Sequence, residues 1–378
     1  MNNRVYLDNA ATTPIDPEVV QHIAEAMNNL WGNPSSIYQE GRTARAAVER
    51  ARKTIANILN ASIGEIFFTS GGTESNNMIL KCAVRDLGVT RIITSKTEHH
   101  AVLHTAESIH NSQSVGLEFV NQDHRGMIDM EHLKSLLENS DQKTLVTLMH
   151  ANNEIGTMID LVEVGQLCEA NGAYFHSDTV QTVGFYPIDL DKTPIHFITG
   201  SGHKFHGPKG TGFLYMNSEA ILKPFIEGGA QERNMRGGTE NVYGIIGMAK
   251  ALEIANEKME ERRQQVKELR DYFADKIKAT LPSVEFNGCP FSNGHFKTLS
   301  VSFPESDKNE LLLLNLDIEG ISCSGGSACS SGADKGSHVI EAIHPGTKRK
   351  TVRFSFSHHN TKSEADFVAD KLKAIVED

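Results

Sequence analysis

Short runs rich in β-branched and aromatic residues alternate with helical patterns between about residues 60 and 216. No other feature of the chain constrains its fold as much. The runs are EIFFTS, RIITS, VGLEFV, TLVTLMH, AYFHSD, IHFITG and TGFLYM, with helical stretches such as DMEHLKSLLEN and LVEVGQLCEANG between several of them. Strands interleaved with helices predict an α/β fold around a mostly parallel sheet. Ligands of such sheets bind beyond the carboxyl ends of the strands, so the residues just after each run are the first candidates for a site.

Residues 241–280 read as one long helical segment rich in Glu, Lys, Arg and Ala. TLSVSFP, the helical KNELLLLNL, the glycine-rich SCSGGSACSSGADKG, the strand TVRFSFS and a terminal helix follow, which predicts a smaller α+β unit. With 39% hydrophobic residues, the 378-residue chain can build a sizeable core. No apolar run approaches the ~20 residues of a membrane span. MNNRVYLDNAATTP lacks the basic-then-apolar pattern of a secretory leader. A net charge of −11 argues against nucleic-acid binding through a basic surface. The cysteines, Cys82, Cys168, Cys289, Cys323 and Cys329, are odd in number, which predicts a reducing cytoplasm rather than a disulfide framework.

Several strand ends carry residues suited to chemistry. In FFTSGGTESNN, Gly71 and Gly72 let a ligand approach the backbone, and the helix start that follows favours an anion, although an ordinary strand-to-helix turn reads the same way. TEHHAVLH offers His99 nearest the strand end. His100 and His104 have i, i+4 spacing, but no cysteine or carboxylate motif completes a metal site, so they are expected to pack or face solvent. FHSDTVQTVG ends a strand on Asp178, with Gln181 three residues later; a structural cap is the alternative.

TGSGHKFHGPKGTGFLY sets Lys204 between His203 and His206 among glycines. Positive character from Lys209 and from protonated imidazoles would lower the pKa of the amine and free it for Schiff-base chemistry. An ordinary surface loop is the competing reading. A phosphate cradle, a strand-end aspartate and an activated lysine together are the parts of a pyridoxal phosphate site, which needs a Schiff-base lysine and an acidic partner for the pyridine nitrogen. Cys329, in SGGSACSSG, sits among small residues that favour exposure; an incidental cysteine is the alternative.

YLDNAATTP, GNPSS, TSGGTESNN, TEHHAV, NNEIG, SDTVQ, SGHKFHGPKG, RGGTEN, SGGSACSSG and RFSFS, in this order and over nearly the whole chain, resemble the cysteine desulfurases of the nitrogen-fixation and iron–sulfur-cluster type. The resemblance implies the aspartate aminotransferase-like fold (fold type I). Residues 14–259 would form the large cofactor-binding domain, and residues 1–13 with 260–378 a small domain carrying the cysteine loop. It implies a homodimer, L-cysteine as substrate and pyridoxal 5′-phosphate joined to Lys204. Gly72, Thr73, Ser201 and His203 would hold the phosphate, with Thr239 reaching the phosphate of the other subunit. His99 would stack on the ring and assist proton transfer, Asp178 would pair with the ring nitrogen and Gln181 with the ring hydroxyl. Asn33 and Asn153 would help hold substrate, and Arg353 its carboxylate. Cys329 would take the sulfur as a persulfide for an acceptor protein such as an iron–sulfur scaffold; Cys323 is expected to pack.

The resemblance also implies, in members that serve a scaffold, a docking tail beyond the terminal helix, which LKAIVED does not supply. No metal, nucleic-acid or membrane partner is expected. Two other readings compete. One is a pyridoxal phosphate aminotransferase in which Cys329 is incidental. The other is a non-catalytic sulfur-carrier binding module, against which Lys204, Asp178, His99 and Arg353 speak.

Overall fold

The computed structural model describes residues 4–138, 141–292, 294–326 and 336–377. A short strand, β1 (Val5–Tyr6), precedes two helices, Pro17–Asn29 and Gln39–Ile58. Asp16 starts the first of these by accepting the Glu18 amide, and Pro17 stands at its first position, where a missing N–H costs nothing. The seven predicted runs then follow as strands: β2 (Ile66–Thr69), β3 (Arg91–Thr94), β4 (Gly116–Phe119), β5 (Thr144–Thr147), β6 (Tyr174–Asp178), β7 (Phe197–Ser201) and β8 (Gly212–Met216).

They form one sheet in the order β2-β8-β7-β6-β5-β3-β4. β8 pairs antiparallel with both neighbours, and every other pairing is parallel. The inner strands β3 and β5 are buried throughout, as expected where helices cover both faces; β4, at the edge, is half-buried. The predicted α/β fold with a mostly parallel sheet is therefore the one observed.

The predicted segment 241–280 is two helices, Val242–Glu257 and Met259–Thr280, broken at Lys258. Their different surroundings explain the break. The first is buried around most of its circumference and packs on the helices Pro17–Asn29 and Gln39–Ile58. The second turns one stripe, including Val266, Phe273 and Ile277, onto a separate apolar cluster. That cluster also holds residues of β9 (Glu285–Asn287), β10 (Thr298–Phe303), β11 (Ile321–Ser322), β12 (Lys350–Ser355) and the terminal helix Lys362–Glu377.

β12, β10 and β9 make an antiparallel sheet. β1 pairs in parallel with β11, so the start of the chain belongs to this second core through Val5 and Leu7. The next residues cross to the large sheet, where the Thr13 amide donates to the His203 carbonyl at 3.0 Å. Among the described residues no helix is long and apolar enough to cross a membrane.

Candidate active site

The carboxyl ends of β2, β3, β5, β6 and β7 converge on one cavity of about 220 Å³. Gly72, Thr73, His99, Asn153, Asp178, Gln181, Ser201, His203, Lys204 and Arg353 all line it. After β2 the chain turns through Gly71, whose φ of +151° is open in practice only to glycine. It then enters the helix Gly72–Leu87. A Cβ on Gly72 would lie 2.8 Å from Val180 Cγ2, so the helix start can press this closely against the turn after β6 only as glycine.

At the end of β6, Asp178 is 6% exposed. Its Oδ2 accepts from Asn76 Nδ2 at 2.7 Å and its Oδ1 from the Val180 amide at 3.0 Å. Asn76 Oδ1 is in turn fixed by Thr199 Oγ1 at 2.8 Å. The carboxylate is thus oriented before any ligand arrives. Gln181 donates through Nε2 to the Ala10 carbonyl at 3.0 Å, while its Oε1 is buried with no hydrogen-bond partner among the described residues.

His99 caps the helix His100–Ser112. Its Nδ1 accepts the Ala101 amide at 3.1 Å, which places the ring proton on Nε2. Burial lowers its pKa, partly opposed by Asp178, and Lys204 lowers it further, so the imidazole is neutral at pH 7. Beneath it Glu98 is buried, with Oε1 accepting the Met149 amide at 2.8 Å. Burial raises the pKa of the Glu98 carboxyl well above its ordinary range, partly opposed by the Met149 amide.

Lys204 ends a single 3₁₀ turn after β7. Its Nζ donates to the Ala10 and Ala11 carbonyls at 2.7 and 2.8 Å. The flanking histidines dock the segment that supplies those carbonyls. His203 accepts the Thr13 hydroxyl through its carbonyl at 2.9 Å, and His206 Nδ1 donates to the Pro14 carbonyl at 2.9 Å. Burial drives the pKa of His203 down to about 4 and that of His206 to about 3. Both rings are therefore neutral, and the expectation that protonated imidazoles act on Lys204 is corrected. They act as props.

Arg353 reaches the cavity from β12, in the second core. Its Nη1 donates to the Asn153 carbonyl and its Nη2 to Asp8 Oδ1, each at 2.7 Å. Asn33 is exposed in the loop between the first two helices, with its Oδ1 on the Ser35 amide, and does not line the cavity. Thr239 is exposed just before the helix Val242–Glu257 and does not line it either. Cys329 lies outside the described residues. The half-buried Cys323 packs against the second core, and burial pushes its thiol up to about 12, where it is no nucleophile at neutral pH. His100 and His104 bond each other at 3.1 Å, and among the described residues no group of three or more candidate ligands is placed to hold a metal.

The sequence reading missed Asn76, Asp8 and the Ala10 and Ala11 carbonyls. Asn76 had a signal: it stands four residues after Gly72, on the same helix face.

The sequence matches the Aminotransferase class-V family over residues 5–368. It is 42% identical to the cysteine desulfurase IscS of Dictyoglomus turgidum, covering all of this chain and 95% of the relative. Among solved structures, a NifS-like protein superposes with a TM-score of 0.91 at 34% identity, covering 99% of this chain and 100% of the other. SspA, solved in complex with cysteine, gives 0.78 at 28% identity over 95% of this chain and 100% of its own. A strand-end lysine, aspartate and histidine gathered in one cavity, and likeness of sequence and fold along the full length, lead to one conclusion: the chain belongs to the class-V aminotransferases and, within them, to the cysteine desulfurases.

Proposed function

We propose that this cavity desulfurates L-cysteine, releasing L-alanine and leaving the sulfur on Cys329, with pyridoxal 5′-phosphate as cofactor. The observation that carries the reading is the convergence of Lys204, the pre-oriented Asp178 and the unpartnered Gln181 Oε1 in one cavity. These residues fit the cofactor's chemistry. A buried, hydrogen-bonded carboxylate suits a ring N–H, an orphaned amide oxygen suits a ring hydroxyl, and a helix start with glycine at its mouth suits a phosphate. When bound, the cofactor supplies an electron sink for the substrate's α-carbon.

Lys204 is the residue that would hold the cofactor's aldehyde group, and its amine would take the substrate's α-proton. Asp178 holds the positive charge of the ring nitrogen in place, and Gln181 Oε1 accepts from the ring hydroxyl. Gly72, Thr73, Ser201 and His203 take the phosphate. His99, which lines the cavity and would stand over the cofactor's ring, holds a proton on Nε2 that it can pass to a leaving or arriving atom. Arg353 receives the substrate carboxylate and Asn153 helps hold the substrate, whereas Asn33, outside the cavity, takes no part in this chain's own site. The Cys329 thiolate attacks the substrate sulfur, so that an S–S bond forms as the C–S bond breaks. The electron pair left on carbon is protonated to give alanine.

Three apolar clusters, one on each face of the large sheet and one around β10 and β12, support a large domain of residues 14–259 and a small domain of 1–13 and 260–378 that carries Cys329. Thr239, exposed on its own chain, suits a homodimer in which it reaches the partner's phosphate. Val20, Met27, Trp31 and Tyr38 add exposed apolar area for such a contact. A sulfur acceptor, such as an iron–sulfur scaffold, in the cytoplasm completes the reading.

The test is alanine production from L-cysteine with no keto acid added. Alanine and sulfide in equal amounts are expected under reductant, whereas a requirement for a keto acid would favour transamination. Cys329→Ser should keep the cysteine-induced absorbance change and lose sulfide release, because a serine hydroxyl forms no persulfide. Borohydride should fix the cofactor to the parent chain and not to Lys204→Ala; fixation that persists in the variant would refute the role of Lys204.

A further inference from the structure

The motif NNEIG supplies Asn153 to the cavity, but the next residue, Glu154, takes no part in the chemistry above. Glu154 is 2% exposed. Its Oε2 accepts the Ser337 hydroxyl, and its Oε1 is buried with no hydrogen-bond partner among the described residues. A buried acid with an unsatisfied oxygen is costly, and its surroundings indicate what it does.

Gly326 lies against the same carboxylate. A Cβ on Gly326 would stand 2.9 Å from Glu154 Oε2 and 3.1 Å from Ser337 Cβ. Gly326 and Ser337 flank in sequence the stretch that carries Cys329, which lies outside the described residues, and both meet Glu154. Each has a second anchorage. On the outgoing side, the Arg353 amide donates to the Ser324 carbonyl at 2.6 Å, and the Ser324 hydroxyl donates to Asp8 Oδ2 at 2.8 Å. On the returning side, Ser337 caps the helix His338–Ile343, and Val339, Ile340 and Ile343 of that helix form an apolar cluster with Ile155. His338 Nε2 bonds the Glu98 carbonyl at 2.9 Å, beside His99.

Glu154 itself is fixed to the cavity wall. Its amide donates to Asn152 Oδ1 at 2.9 Å, and the Asn153 carbonyl accepts Arg353 Nη1 at 2.7 Å. One carboxylate therefore joins the wall that holds the substrate arginine to both ends of the stretch bearing Cys329.

We propose that Glu154 is a positioning residue for sulfur transfer to Cys329: it ties Gly326 and Ser337, the described residues that flank the stretch bearing Cys329, to the cavity wall. The inference rests on the reading of Cys329 as sulfur acceptor. It separates two parts of the reaction, because Glu154 does not line the cavity and its loss should spare cofactor and substrate binding.

The experiment uses holoenzyme of the parent, Glu154→Ala, Glu154→Gln, Ser337→Ala and Cys329→Ser. Cofactor absorbance, its change on titration with L-cysteine, and ³⁵S retained on the chain from labelled cysteine are read on each. In Glu154→Ala the cysteine titration should stay at parent half-saturation while the rate of ³⁵S transfer falls by roughly tenfold, the effect of losing one hydrogen bond that fixes Ser337. Glu154→Gln keeps an acceptor for the Ser337 hydroxyl and should transfer sulfur at near the parent rate. Ser337→Ala should fall in the same direction as Glu154→Ala. Parent-rate transfer in Glu154→Ala would overturn the proposal, as would loss of cofactor and of sulfur transfer in proportion in both Glu154→Ala and Ser337→Ala. A parent enzyme that retains no ³⁵S, or retains it equally in Cys329→Ser, would instead bring down the reading of Cys329 and this inference with it.

Discussion

Lys297 is 1% exposed, and its amine has no hydrogen-bond partner among the described residues. It lies 3.9 Å from the centre of the Phe185 ring. Burial first, and then the charges of Lys204 and Arg353, hold its pKa well below the ordinary lysine value. The unfolded chain keeps a proton there up to a pH of about 10.4, so folding expels that proton throughout the window between the depressed value and the ordinary one. Across this window the unfolded state binds more protons, so the penalty grows as pH falls and stability rises with pH. Lys297→Met should therefore raise the Tm at neutral pH. It should also remove a slope of up to about 1.4 kcal/mol per pH unit from the stability measured over the pH range just below the ordinary lysine value. Equal slopes in parent and variant would mean that Lys297 stays charged in the fold. The sequence did not announce this residue, because a lysine before a strand reads as an ordinary flank and burial of a charge has no local signature. Lys204 and Asp178 were legible for the opposite reason: Asp178 ends a recognisable strand and Lys204 follows one by three residues, and strand ends are where such sheets bind ligands.

The turn from β2 into the helix Gly72–Leu87 shows how an element makes a site. Its first turn faces the cavity because Gly71 and Gly72 let the chain pass beside Val180 and β8; a Cβ on Gly212 would come within 2.6 Å of Gly71 Cα. Gly72→Ala would push Val180, itself a cavity residue, toward the space the ligand needs. Overpacking of this kind costs ~1–3 kcal/mol, so the variant should hold pyridoxal phosphate roughly tenfold more weakly, by equilibrium dialysis, while its far-ultraviolet dichroism stays that of the parent. Retention at parent affinity would show that Val180 yields freely. The strands around this turn were legible because compact runs of Ile, Phe, Val and Thr have few other fates in a chain of this pattern. The helix break at Lys258 was not, since Glu, Lys and Met on both sides all favour helix; only the change from an all-round apolar pattern to one apolar stripe marks it. The helices Pro17–Asn29 and Gln39–Ile58 also went unread, because they precede the alternating region that drew the reading.

At the scale of the whole molecule, the cavity draws on both the large sheet and the second core. The large sheet supplies Lys204, Asp178 and His99; β12, in the second core, supplies Arg353; and the segment after β1 supplies the carbonyls that hold Lys204. Thr239 and Asn33 stand exposed outside it, and in the proposed homodimer Thr239 completes the partner's site. That arrangement makes a prediction no single chain can satisfy. Lys204→Ala lacks the amine, and Thr239→Asp would set a carboxylate against the partner's phosphate, so each homodimer should be close to inactive. In a hybrid dimer one site carries both lesions and the other carries neither, because Lys204 of one chain faces Thr239 of the other. Equal amounts unfolded and refolded together with cofactor should give random pairing, half of it hybrid, and should recover about a quarter of the parent's active sites. Sulfide release per chain and sedimentation of the mixture measure the result. Recovery at about that level would fix Thr239 across the interface. No recovery in a mixture that sediments as dimers would place Thr239 and Lys204 in the same chain's site, a Thr239→Asp homodimer that is active before mixing would remove Thr239 from the site altogether, and an active monomer would refute the shared site outright.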